Sequence, residues 1–590
     1  MMSNELQSIG LGHGSRNEAI KLESNLLRGA LAAALSDETS HLDEESVQLL
    51  KFHGSYQEDD RDQRRACREA GLEKAYEFMI RSRIPGGSLT AEQYLAHDLL
   101  AGQYGNGSLR LTTRQGIQLH GVLKGNLIAT IRAINDALLS TLAACGDVNR
   151  NVMACPAPVQ SRAHAQVQEH AYRIAMRLAP RTRAYHELWL GGEQITAPEA
   201  EPIYGKTYLP RKFKIGVAFP GDNCVDVYTQ DIGFVADVQD EQLLGFTILV
   251  GGGMGSTHGK SETYPRLGTP LCFVGPENVL AVAETIVTTY RDHGDRENRK
   301  HARMKYLVEE RGIEWFRAEI ERRLGTRLEK PRAIRFEGVH DHLGWHQQAD
   351  DRWFFGLHVD SGRVVDRPSG LLRSGLRHVV ESFSPGLRIT GQQNVLLTDI
   401  AAIQRAEFEA LLQSYGIETK PSELGIRRTA MACPALPTCG LAVAEAERAL
   451  PGILEKVEDE LAALGLEREA VSIRMTGCPN GCARPRMGDI GIVGRSLDSY
   501  DIYIGGDAAN TRLNELYAQG IKSEALVELL RPALELWRSE RSPGESFGDF
   551  ALRRGIAKIA TAPPTSGPTP IGEPTHNGGG AAVYSDLTRH

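Results

Sequence analysis

Apolar residues recur at helical spacing in Asn17 to Leu35, where Ile20, Leu22, Leu26, Leu27, Ala30 and Leu31 mark one stripe and Asn17 stands as a possible cap. The stretch 51–76 breaks that pattern with Asp59, Asp60, Arg61, Asp62, Arg64 and Arg65, and reads as a solvated arm or helix face. From Phe78 the period shortens to that of a strand, which ends in the turn Pro85-Gly86-Gly87. Ala91 to Tyr104 returns to helix. Leu109 to His120 then alternates. Leu109, Leu111, Ile117 and Leu119 take odd positions, while Arg110, Thr112, Arg114, Gln118 and His120 take even ones. Period two predicts a single strand with one apolar and one cationic face, bulged at Gly116. A face with only positive charge is expected to meet an anion. Leu209 to Val217 predicts another strand, on which Lys212 and Lys214 share a side. Clustered like charges depress lysine pKa values and ease proton donation. Arg150 stands ready to add a further cation.

Two of these patterns occur twice. Leu109-Arg-Leu-Thr-Thr-Arg-Gln115 returns as Leu387-Arg-Ile-Thr-Gly-Gln-Gln393, and Met153-Ala-Cys-Pro-Ala157 as Met431-Ala-Cys-Pro-Ala435, both 278 positions on. Asp231-Ile-Gly-Phe-Val235 is echoed at a shorter offset by Asp489-Ile-Gly-Ile-Val493. The chain therefore reads as a duplicated unit over 76–330 and 345–555, each copy with a smaller front module and a larger back module. The copies differ: Gln392 stands where the first copy has Arg114. Cys155 has no companions matching the Cys439 and Cys478/Cys482 spacing, and reads as a packed relic. One copy supplies cations and the other thiols, as expected of a central site between two halves.

Composition narrows the setting. At 590 residues the chain is long enough for roughly three to five domains. A net charge of −8 argues against a nucleic-acid partner. Residues 1–20 lack the apolar run of a signal peptide, and no run of about eighteen apolar residues predicts a membrane span. The expected location is the reducing cytoplasm, where grouped cysteines mean metal or catalysis. The glycine-rich Gly251 to Ser261 follows an apolar run but fits neither phosphate-loop nor dinucleotide spacing. Arg299, Lys300, His301, Arg303 and Lys305 read first as a solvated face, and second as a donor-docking or cofactor-carboxylate patch. Thr561 to His590 reads as a flexible tail.

The densest chemistry lies in Cys433-x5-Cys439 and Cys478-Pro-Asn-Gly-Cys482. Four thiols in two pairs can converge on one metal centre, and thiolates suit iron–sulfur clusters or zinc. A five-residue gap is wider than structural zinc usually takes. Gly477, Pro479 and Gly481 let the backbone approach a bulky inorganic group. A protein without enzymatic activity, holding structural zinc on the four cysteines, remains the alternative class.

On these cysteines, and on Leu109 to His120, Asn149 to Val152 and Leu209 to Lys214, the chain resembles the sirohaem sulfite and nitrite reductase family from about residue 20 to 555. That resemblance implies an α+β (α/β-like), internally duplicated fold whose pseudo-twofold halves surround a central cofactor site. The implied parts are an extension (1–75), a ferredoxin-like half-domain (76–145), a sirohaem and substrate domain (146–340), a second half-domain (341–415), a [4Fe–4S] domain (416–560) and the tail (561–590). It implies a [4Fe–4S] cluster on Cys433, Cys439, Cys478 and Cys482, the last shared with sirohaem iron. It implies that Arg81, Arg150, Lys212 and Lys214 grip the substrate anion. Sirohaem carries eight carboxylates, and Arg110, Arg114, Gln118, His120 and Arg211 are the residues expected around it. The implied activity is assimilatory six-electron reduction of sulfite to sulfide, with nitrite reduction as the alternative. Nitrite-reducing members resemble Leu-Pro-Arg-Lys-Trp-Asn where this chain has Lys214, which favours sulfite. The segments Gly146 to Arg150, Gly253 to Gly255 and Gly356 to Gly362 resemble the ferredoxin-linked branch, so ferredoxin is the expected donor ahead of a flavoprotein.

Overall fold

Four five-stranded sheets carry the chain in the computed structural model, which describes residues 14–556 except 159–160, 182–188, 191–192, 195–200 and 349. The tail expected at 561–590 lies outside the described residues. The helix expected over Asn17 to Leu35 is two helices, α1 (Arg16–Glu23) and α2 (Leu31–Ser36). Asn25, Leu26 and Leu27 take φ of 48°, 60° and 70°, which no right-handed helix tolerates. Ser24 turns the chain there, its hydroxyl donating to the Lys21 carbonyl and accepting from the Leu27 amide.

The first front module contributes β1 (Ser55–Asp59), β2 (Tyr76–Ser82), β3 (Ser88–Leu89), β4 (Leu109–Leu111) and β5 (Ile117–Val122). The first back module contributes β6 (Asn149–Ala154), β7 (Phe213–Ala218), β8 (Ile232–Gln239), β9 (Gln242–Val250) and β10 (Thr269–Val274). The second copy follows with β11 (Gly344–Gln347), β12 (Trp353–Leu357), β13 (Arg363–Val364), β14 (Gly386–Ile389) and β15 (Val395–Ile400). Its back module has β16 (Met431–Ala432), β17 (Ile473–Thr476), β18 (Ile490–Ser496), β19 (Ser499–Ile504) and β20 (Glu515–Ile521). The front sheets run β1-β2-β5-β4-β13 and β11-β12-β15-β14-β3, so each copy lends a short strand to the other's sheet. The back sheets run β10-β9-β8-β7-β6 and β16-β17-β18-β19-β20. One apolar core joins both front modules and the first back module, and a second, from Ile426 to Ile556, fills the last.

The repeat is reproduced pair for pair. Leu109 faces Leu119 as Leu387 faces Leu397, and Ile215 faces Ile232 as Ile473 faces Ile490. Gln115 donates to the Ile389 carbonyl at 2.9 Å, and its counterpart Gln393 donates to the Leu111 carbonyl at 3.4 Å. From β7 onward the back modules follow an offset of 258. Asp231 accepts from the Lys214 amide as Asp489 accepts from the Ser472 amide, each at 2.9 Å. Asp226 and Arg484 are counterparts too, both left-handed (φ 47° and 53°), and they form an ion pair with each other across the pseudo-twofold axis.

The strand expected over Leu109 to His120 is a hairpin. β4 and β5 pair antiparallel, and Thr112 to Gly116 turns between them with Gln115 at φ 57°. The Thr112 amide donates to the Gly116 carbonyl at 2.8 Å and the Gln115 amide to the Thr112 carbonyl at 2.9 Å. Arg110 and Gln118 become cross-strand neighbours, while Arg114 moves to the tip. Within the charged stretch 51–76, Ser55–Asp59 is an edge strand rather than a solvated arm. Among the described residues no helix is long and apolar enough to cross a membrane.

Candidate active site

Parallel pairing of β16 with β17 sets Met431 against Arg474 and Ala432 against Met475. Cys433 follows one strand end, and Cys478 and Cys482 follow the other, so the thiols gather at one edge. Gly477 is required there: a Cβ would stand 2.4 Å from the Ala444 carbonyl oxygen and 2.6 Å from Ala435 Cβ. Its amide donates to Cys433 Sγ at 3.4 Å, and Asn480 Nδ2 donates to Cys478 Sγ at 3.5 Å. All four cysteines are free thiols. Burial first, and then the charges of Cys482 and Cys478, pushes Cys433 up to about 12. Burial likewise carries Cys439 well above the ordinary thiol range. Four such groups resist ionising together unless a positive metal centre takes them. Among the described residues, no three of these sulfur atoms lie within 4.8 Å of one another. One tetrahedral zinc ion needs donors about 3.3–3.8 Å apart.

Facing Cys482 is a wall of cations. Lys212 and Lys214 share one side of the strand start, as their spacing predicts, and neither ammonium has a hydrogen bond or ion pair among the described residues. Burial first, then Arg150, Arg211 and Arg303, brings Lys212 down to about 7, against a small opposing pull from Cys482. Burial and Lys212 carry Lys214 well below the lysine range. Arg150 donates to the Tyr56 hydroxyl and the Gly146 carbonyl, each at 3.3 Å. Arg81 donates to Cys145 Sγ at 2.9 Å. With its amide oxygen turned toward Arg81, Gln118 accepts from Nη2 and Nε at 2.5 and 3.2 Å. Arg211 leans toward Asp147 at 3.9 Å, with burial and Arg299 lowering it to about 10. Arg114, at the hairpin tip, donates to Gln230 Oε1 at 2.7 Å and to the Asn151 carbonyl at 2.6 Å.

Two expectations need correction. Arg110 does not stand open on a cationic face. It is 1% exposed, ion-paired with Glu447 and bonded to the Ala432 carbonyl at 2.8 Å, one residue before Cys433. Hairpin pairing turns it away from the tip and into the cluster strand. The basic run 299–305 is not a solvated face. Arg303 grips Asp231 at 2.8 and 3.1 Å, and Lys305 is fully buried. Lys305 Nζ donates to the Gly255 carbonyl at 2.7 Å and to the Tyr264 carbonyl. It thereby holds the glycine-rich loop against the cysteine loop, where the Ser256 amide donates to the Pro479 carbonyl at 2.9 Å. His120 is buried beside Glu58 at 3.5 Å. Burial first, then Arg363 and Arg110, keeps its imidazole neutral, and burial raises Glu58 well above the carboxylate range.

Sequence reasoning missed three participants. Asp226 pairs with Arg474 at 2.8 Å and with Arg484, which ties the two back modules together beneath the site. Thr113 Oγ1 donates to the Cys482 carbonyl at 3.0 Å. Cys224 is the counterpart of Cys482 at offset 258, so the first copy does carry an equivalent. The echo at Asp231 and Asp489 held the signal for it.

Orphaned atoms test what the site can hold. Arg114 Nε and Arg303 Nε are buried without hydrogen-bond partners, and two lysine ammoniums of the same wall are unpaired. A guest with many carboxylates fits that donor set. A family profile described as the nitrite and sulphite reductase 4Fe-4S domain matches residues 169–328 and 426–562. A second, the nitrite/sulfite reductase ferredoxin-like half domain, matches residues 71–137 and 346–415. The chain belongs to the nitrite and sulfite reductase family. It is thereby an oxidoreductase with a [4Fe–4S] cluster and sirohaem. A relative from Myxococcus xanthus, named sulfite reductase [NADPH] hemoprotein beta-component, is 50% identical over 92% of this chain and 96% of its own. A relative of the same name from Geobacillus kaustophilus is 49% identical over 93% and 97%. The solved structure of the Mycobacterium tuberculosis NirA protein superposes with a TM-score of 0.76, at 22% identity over 94% of this chain and 99% of that one, and shares the fold.

Proposed function

We propose that the chain reduces sulfite to sulfide, with Arg81, Arg150, Lys212 and Lys214 binding the anion and Cys433, Cys439, Cys478 and Cys482 holding the cluster. The observation that carries this reading is the placement of two unpaired lysines opposite the one exposed thiol of the four, Cys482. The cluster would be held by Cys433, Cys439, Cys478 and Cys482 and sirohaem by Cys482, and together they would supply single electrons to the bound anion. Arg81 and Arg150 fix the oxygens of a doubly charged substrate. Lys212, near neutrality, holds the proton that a departing oxygen takes as it becomes water. Lys214 faces the same space, and burial and Lys212 lower its own pKa. Arg114 and Arg211, joined by Arg303, meet the carboxylates of the tetrapyrrole. Gln118 positions Arg81, and Arg110 positions the strand that ends in Cys433. Neutral His120 packs behind the carboxylate-facing wall.

The relatives are named as NADPH enzymes, which supports a flavoprotein electron donor. The ferredoxin preference expected from the sequence finds no support in those names. Loaded protein given a chemical one-electron donor is expected to turn over sulfite faster than nitrite. Faster nitrite turnover overturns the substrate assignment. A colourless, iron-free protein containing zinc overturns the enzyme reading.

A further inference from the structure

The first copy keeps a cluster of side chains that the reduction of sulfite does not use. Cys155 follows β6 as Cys433 follows β16, and Cys224 is the counterpart of Cys482. Asp222 lies two residues before Cys224, and His342 arrives from the segment that opens the second copy. One donor atom from each, two sulfurs, a carboxylate oxygen and an imidazole nitrogen, all lie within 4.8 Å of one another. His342 Nε2 is 3.1 Å from Asp222 Oδ2, and Cys155 Sγ is 3.6 Å from that oxygen and 3.9 Å from Nε2. Around a tetrahedral zinc ion with bonds of about 2.0–2.3 Å, donor atoms stand about 3.3–3.8 Å apart. The three separations among Cys155, Asp222 and His342 lie close to that spacing, and the Cys224 sulfur is within 4.8 Å of each of the other donors.

We propose that Cys155, Asp222, Cys224 and His342 form a second metal site, a closed four-ligand site for a divalent ion of the zinc class. Three independent features support it. Cys155, Asp222 and Cys224 are buried and His342 nearly so, which leaves no open position and makes the site structural rather than catalytic. The donors are oriented from behind: the His340 amide donates to Asp222 Oδ1 at 3.1 Å, leaving Oδ2 to face the thiols. Buried His164 lies against Cys155, and its Nε2 has no hydrogen-bond partner. Binding releases two protons to solvent, one from Cys224 and one held between Cys155 and His342, and the ion stays divalent. Its role follows from position. Gln392, at the hairpin tip of the second copy, donates to the Cys224 carbonyl at 2.8 Å, as Thr113 at the tip of the first copy donates to Cys482. The ion fastens the first back module to the second front module.

Purified full-length protein loaded with its cofactors, prepared from zinc-containing medium, is the material for the test. Elemental analysis is expected to find about one zinc per chain beside the iron. Absorption at the zinc edge is expected to give two sulfur neighbours at about 2.3 Å and two lighter ones at about 2.0–2.1 Å. The His342→Ala and Cys224→Ser variants are expected to lose zinc by about tenfold or more while haem and cluster absorption persist. Should neither variant fold, the zinc-edge spectrum of the parent protein decides alone. Zinc below about a tenth per chain, a zinc shell without sulfur, or a Cys155–Cys224 disulfide in a non-reduced peptide map overturns the proposal.

Discussion

The two back modules share a backbone and divide the chemistry. Strand register, the left-handed residue before each short helical turn and the aspartate that receives a strand amide are the same in both. The side chains at matching positions are not. Lys212 and Lys214 correspond to Ala470 and Ser472, and Asp226 to Arg484. Asp231 is held by the guanidinium of Arg303, whereas Asp489 is held by the backbone amide of Gly548 at 2.9 Å. Burial accordingly raises the Asp489 carboxyl. What hydrogen bonds to the backbone is kept in both copies. What projects toward the centre has specialised, cations from one side and thiolates from the other. Thiols at equivalent places thus meet different surroundings.

Replacing matched residues one half at a time tests that division. The largest effect is expected for Cys482→Ser: cluster and haem absorption are lost and turnover falls below about a thousandth. The matched Cys224→Ser keeps both spectra. An intact haem spectrum in Cys482→Ser contradicts its bridging role. Next comes stability. Asp226→Asn leaves Arg474 and Arg484 without a buried counter-ion and is expected to cost about 3–5 kcal/mol in denaturant unfolding. Burial alone raises the Asp226 pKa, yet the two arginines more than offset it and hold the carboxyl ionised. Asp489→Asn, which has only neutral donors, is expected to cost about 1–3 kcal/mol. The reverse order breaks the comparison. Lys214→Asn is third, with sulfite kcat/KM falling about 10–100-fold relative to nitrite, and unchanged ratios remove its assigned role.

The smallest effect is in pH. Lys212 is charged below about 7 and loses its proton above it, because burial and the charges of Arg150, Arg211 and Arg303 lower its pKa against a small opposing pull from Cys482. The KM for sulfite is expected to rise as pH passes upward through about 7, by about threefold to tenfold. Comparison with Lys212→Arg, whose charge persists, separates this limb from the ionisation of sulfite itself. Identical profiles contradict the assignment.

Much of this was legible in the chain because it is local. The cysteine pairs are close in sequence, and a repeat at a fixed offset needs no structure to be seen. Arg81, Arg150 and the Lys212–Lys214 pair come from three separate segments, and in the sequence only the family resemblance joins them. The hairpin at Thr112 to Gly116 is hidden because its left-handed residue is Gln115, not a glycine, and because the apolar residues on either side of the turn keep the same parity. Lys305 looked like a surface lysine, since composition cannot say that three backbone carbonyls await its ammonium. Cys224 was invisible for a different reason. The offset changes from 278 to 258 inside the back module, between β6 and β7, and its companions Asp222 and His342 lie 120 positions apart.

The exchanged strands have a consequence for how the molecule is made. The first front sheet stays one strand short until β13, at Arg363–Val364, has emerged from the ribosome, and β3 waits exposed for β14. Neither copy can close while it is the only one synthesised. Such long-range pairing favours late, cooperative assembly over stepwise folding from the N-terminus. Cofactor insertion therefore belongs after translation, when both copies are present to enclose it.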